Sequence, residues 1–132
     1  MGDGSYSFQE RCDVKTLEVF SITADVPQIS ADHPRIDRTL ADMVAAYLAH
    51  GRLILISQVA LPDFLSPNLE ERVSTSAATD GEWIWGLWVE YYVREYQLNP
   101  GDDFLRYLKD RNYVINDVSD EAAERARAFY LA

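Results

Sequence analysis

The chain has 132 residues, 48% of them apolar and 12% aromatic, enough for one domain with a buried core and too apolar for disorder over most of its length. Twelve basic against twenty-two acidic side chains give a formal charge of −10, which repels nucleic acid and steers a basic partner inward, although such acidity also serves solubility alone. No apolar run of about 18 residues occurs, so no membrane-spanning helix is expected.

The N-terminus, Met1-Gly2-Asp3-Gly4-Ser5-Tyr6, lacks the basic and apolar regions of a signal peptide. Tyr6 stands where a myristoylation motif wants Ser or Thr. Cys12 is the single cysteine, so no internal disulfide forms, and a reducing, cytoplasmic location is expected. Residues 1–7 are Gly- and Ser-rich and are expected to be disordered. From Phe8 to Ile29 the pattern fits either a strand or a short helix, with a break at Val26-Pro27.

The clearest periodicity runs from Pro34 to His50. Ile36, Leu40, Met43, Val44, Tyr47 and Leu48 recur at the spacing of one helix face. Asp32 is the expected cap, Pro34 suits the first turn, and Gly51 marks the stop. The run Leu53-Ile54-Leu55-Ile56 then predicts a strand buried on both faces. Leu61 to Pro67 predicts one helical turn between prolines, and residues 72–78 a second strand. Asp80-Gly81 is a turn signal, and the alternation of Glu82-Trp83-Ile84-Trp85 predicts a hairpin near residues 73–85 with both tryptophans on one face.

A second helix is predicted over Leu87 to Gln97, with Trp88, Tyr91, Tyr92 and Tyr96 on one stripe and Glu90 paired with Arg94. Asn99-Pro100 is expected to cap a third helix carrying Phe104, Leu105 and Leu108. Asn112 to Ile115 reads as an edge strand or an extended link. Ser119 caps a last helix, with Ala122, Ala126, Phe129 and Tyr130 expected to face inward. These elements make an α+β fold of about four helices on a small, largely antiparallel sheet, with a mostly helical domain bearing one hairpin as the alternative.

No catalytic, cofactor-binding or metal-ligating residue is expected. Cys12 has no histidine near it in sequence. His33 and His50 stand seventeen residues apart, roughly 25 Å along a helix, too far to share a metal. Asp102-Asp103 suits the first turn of a helix, where the dipole favours negative charge, and Glu70-Glu71 reads as a solvated pair. The aromatic stretch from Trp83 to Tyr96 fits a core seam between hairpin and helix; the competing reading is a stacking platform or partner patch.

Three stretches carry a resemblance. They are Val44-Ala45-Ala46-Tyr47-Leu48-Ala49-His50-Gly51-Arg52-Leu53-Ile54-Leu55, Thr79-Asp80-Gly81-Glu82-Trp83-Ile84-Trp85 and Tyr91-Tyr92-Val93-Arg94-Glu95-Tyr96, followed by a short helix from Pro100 to Leu105. Together they resemble a group of small bacterial proteins with a TDG-x-W-x-W turn and a YYV helix, which is similar to the immunity proteins of polymorphic or contact-dependent toxin systems. The resemblance spans residues 40 to 108; Gly86 stands where the pattern has proline, and the first thirty residues lie outside it.

That resemblance implies a non-enzymatic protein that neutralises a cognate toxin effector domain, with no nucleic acid or membrane partner, monomeric or weakly dimeric when free. On this reading the tryptophans are scaffold, and an acidic surface made by Glu70, Glu71, Asp80, Glu82, Glu95, Asp102 and Asp103 covers the toxin's active site. Two other classes stay open. One is a small-molecule-binding or enzymatic domain with a Trp/Tyr-lined pocket; the other is an effector adaptor or chaperone.

Overall fold

The structure is a computed structural model, and it describes residues 14–17, 22–23, 26–27, 32–66 and 71–132. The expectations for residues 1–7, Cys12 and most of Phe8 to Ile29 lie outside the described residues. Two short strand pairs stand outside the main sheet. β2 (Ile22–Thr23) pairs antiparallel with β3 (Val26–Pro27), and β5 (Ala60–Pro62) pairs antiparallel with β6 (Glu71–Ser74).

The main sheet has the order β1-β8-β7-β4, from β1 (Lys15–Thr16), β8 (Trp83–Gly86), β7 (Ala77–Thr79) and β4 (Arg52–Leu55). β7 and β8 form the expected antiparallel hairpin, with Thr79 opposite Ile84 and Ala78 opposite Trp85. β4 lies antiparallel to β7 with a register shift between Leu53 and Leu55, while β1 runs parallel to β8. The fold is α+β, with four helices among the described residues: α1 (Arg38–Ala49), α2 (Leu87–Tyr96), α3 (Asp102–Asp110) and α4 (Asp120–Leu131).

The alternation of side chains along β8 decides what each sheet face holds. Trp85 points to one face and packs with Ala78 and with residues of α1, α2 and α3, including Val44, Leu48, Tyr92 and Phe104. Ile84 points to the other, where Val14, Ile54 and Ala77 meet Ala123 and Ala126 of α4. The sheet is therefore a middle layer between three helices and one.

Several boundaries differ from those expected. α1 begins at Arg38, capped by Asp37, whose carboxylate accepts from the Leu40 amide at 2.8 Å. Pro34 to Ile36 stay extended because they find backbone partners beyond α2: Asn99 N donates to Pro34 O, and Ile36 N to Gln97 O, each at 2.8 Å. The residue that starts α3 is Gly101, at φ 118°, its amide held by the Asn99 side chain at 2.7 Å. Ser119 caps α4 as expected, but Phe129 is 47% exposed, and Ala123 takes the inward place beside Ala126.

The β4 run is not buried on both faces. Only Ile54 is buried; Leu53 and Ile56 are exposed, because β4 is the sheet edge, pairing among the described residues with β7 alone. Leu61 and Pro62 belong to β5, and the expected helical turn shrinks to a tight turn over Asp63 to Ser66. The strand expected over residues 72–78 breaks at Thr75-Ser76, where hydroxyl bonds among Ser57, Ser74, Thr75 and Ser76 replace the ladder. Asn112 and Tyr113 adopt left-handed backbone, so residues 112–115 are a link and not a strand.

Candidate functional site

The seven acidic residues expected to form one surface do not gather. Glu70 lies outside the described residues, and Glu71 opens β6. Glu95 pairs with Arg94 on α2, which also takes the expected partner Glu90 at 2.7 Å. Asp102 accepts from Asn99 Nδ2 at 3.2 Å, beside the shallow cleft that also holds His33. Asp103 lines a cleft with Tyr107 and Glu82 lies 3.4 Å from the Tyr107 hydroxyl; they pair with Arg106 at 3.2 Å and Arg111 at 3.0 Å.

Asp80 corrects the expectation most sharply, because it is 7% exposed and turned inward. The hairpin geometry requires this. Gly81 takes φ 100°, and the Asp80 Oδ1 accepts from the amides of Glu82 at 2.9 Å and Trp83 at 2.8 Å, closing the turn. Its Oδ2 accepts from Tyr47 of α1 at 2.5 Å and from Tyr107 of α3 at 2.7 Å.

A second buried carboxylate repeats the arrangement. Asp63 is fully buried; its Oδ2 accepts from Tyr91 at 2.5 Å and Tyr96 at 2.7 Å, and its Oδ1 accepts from the Leu65 amide at 2.9 Å. Arg72 adds a guanidinium 3.9 Å from Oδ2 and donates to the Tyr91 hydroxyl at 2.8 Å. Burial pushes the Asp63 carboxyl up, but the tyrosine and amide donors and the Arg72 charge outweigh it and hold the group below its ordinary value. Burial first, and then the adjoining carboxylates, push Tyr47, Tyr96 and Tyr107 well above the ordinary phenol range.

Neither carboxylate was singled out for this role in the sequence. The available signal was the tyrosine count. A chain with eight tyrosines must supply acceptors for the hydroxyls it buries, and aspartates in tight turns, as at Pro62-Asp63-Phe64 and Thr79-Asp80-Gly81, can supply them.

The aromatic stretch is core. Trp85 and Tyr92 are fully buried, and Phe104 packs against Trp83 at 5.2 Å and against Trp85 at 6.1 Å between ring centroids. The Trp85 indole donates to Leu48 O at 3.1 Å. Gly51 and Gly86 make room: a Cβ on Gly51 would lie 2.5 Å from the Trp85 ring, and one on Gly86 2.1 Å from the Trp88 ring. The Gly86 departure from the resembled pattern thus matches the seat of Trp88.

Trp83 of this group lines an open cleft. The cleft measures about 550 Å³ and is lined by Lys15, Trp83, Asp103, Arg106, Tyr107 and Asp110. The parallel register of β1 with β8 sets Lys15 beside Trp83, and its ammonium stands 5.5 Å from the indole centroid. Asp103, Arg106, Tyr107 and Asp110 follow the i, i+3, i+4, i+7 spacing of one face of α3.

His33 and His50 each lie beside a backbone carbonyl, Asn99 O at 2.7 Å and Ala46 O at 2.6 Å. Among the described residues no three His, Cys, Asp or Glu side chains gather as metal ligands, and no helix is long and apolar enough to cross a membrane. No protein-family model, curated protein or solved structure matches the chain.

Proposed function

We propose that this protein is a cytoplasmic immunity protein that binds a cognate toxin effector domain and blocks its active site with an acidic surface. The observation that carries the reading is where charge and aromatics are placed. Exposed carboxylates stand on both C-terminal helices, Asp102, Asp103 and Asp110 on α3 and Asp120, Glu121 and Glu124 on α4, in a chain of net charge −10, while Trp85, Tyr91 and Tyr92 fill the core. A toxin that cleaves nucleic acid or binds an anionic cofactor needs a basic cleft, and an acidic protein associates with such a cleft quickly and covers it.

The test is co-purification with the product of the adjoining reading frame, followed by an assay of that product's toxicity. The expected result is a complex that weakens as salt rises, and toxicity that appears when this gene is deleted. A neighbouring product that is harmless without this protein overturns the reading. A complex that leaves toxin activity intact points instead to an adaptor.

A further inference from the structure

We propose that the cleft at Trp83 seats one arginine side chain of the partner, its guanidinium replacing the Lys15 ammonium over the indole and pairing with Asp110. The identity of the partner rests on the proposed toxin-binding function; the chemistry of the seat does not.

Three observations point to a cationic guest. The indole already holds a cation, Lys15, which forms no ion pair among the described residues. Asp103 is engaged by Arg106, whereas Asp110, on the same helix face and lining the same cleft, has no ion-pair partner among the described residues. The whole protein carries −10, so a positive group gains on approach and an anion loses. An unpaired carboxylate beside an aromatic face matches guanidinium better than ammonium, because a planar fork stacks on the ring while it bonds the carboxylate.

Lys15 then acts as an internal competitor, and this gives the experiment its direction. N-acetyl-arginine amide is titrated into the full chain, with the Trp83 indole N–H followed by NMR and assigned through Trp83→Tyr. The neutral isostere N-acetyl-citrulline amide is the control. A saturable shift with arginine amide and none with the citrulline compound is expected. Lys15→Met tightens binding about two- to five-fold, the worth of one exposed cation–π contact. Asp110→Asn weakens it about two- to five-fold, the worth of one exposed ion pair.

Both substitutions are at exposed positions outside the core. An equal shift with the citrulline compound, no saturable shift, or unchanged affinity in either variant overturns the inference. Because no toxin is present, failure here leaves the proposed function standing, and a harmless neighbouring gene leaves this result readable.

Discussion

Tyr107 and Tyr47, on different helices, donate to the same Asp80 oxygen, at 2.7 and 2.5 Å. One carboxylate in the β7–β8 turn thereby ties α1 and α3 to the two central strands of the sheet. Asp80→Ala leaves two phenol hydroxyls and two turn amides without their acceptor and is expected to cost about 3–5 kcal/mol. Tyr107→Phe removes one bond from a half-buried site and should cost about 1–2 kcal/mol. Urea unfolding midpoints measure both, and an Asp80→Ala variant as stable as the parent would refute the tie.

Stability should fall at both ends of the pH scale, for opposite reasons. Asp63 is held below its ordinary value of 3.8, so its contribution is complete above the unfolded value and disappears as pH falls through the folded one. Tyr47, Tyr96 and Tyr107 are raised above 10.0, so their contribution is complete below that pH and disappears as pH rises through the folded values. Thermal unfolding across pH should show both limbs. Asp63→Asn should flatten the acid one, and tyrosinate absorbance should lag until the chain unfolds.

Gly51→Ala brings a methyl to 2.5 Å from a buried tryptophan ring and 3.1 Å from Ala78 Cβ. Neither neighbour is a flexible chain end, so a loss of about 1–3 kcal/mol is expected. Gly86→Ala brings a methyl to 2.1 Å from the half-buried Trp88 ring, so a comparable loss should come with a change in near-UV circular dichroism as the indole is displaced. Equal and negligible effects would mean the rings move without cost.

Ile56 is 75% exposed just past the edge strand β4. Ile56→Lys should leave stability within about 0.5 kcal/mol and raise the concentration at which the protein aggregates. A large loss of stability would show that the side chain is covered.

Much of the fold could be read from local pattern. The α1 face, the β7–β8 hairpin with its paired tryptophan faces, the Glu90–Arg94 pair and the Ser119 cap all depend on residues a few positions apart. What was missed depends on distant partners. Pro34 to Ile36 stay extended because of residues 97–99, and β4 is an edge because no described residue pairs on its far side. The acidic surface failed at Asp80 for the same reason: an aspartate in a turn reads as solvated until two tyrosines from other helices close over it.

The parallel pairing of β1 with β8 also has a kinetic side. Lys15 N donates to Glu82 O at 2.9 Å and Leu17 N to Ile84 O at 2.7 Å, across more than sixty residues of chain. Closing so long a loop is slow compared with forming the hairpin next to it. The N-terminal strand is therefore expected to add last in folding and leave first on opening, with the Lys15 and Leu17 amides exchanging with solvent faster than those of β7 and β8. Each such opening would lift Lys15 away from the indole it covers.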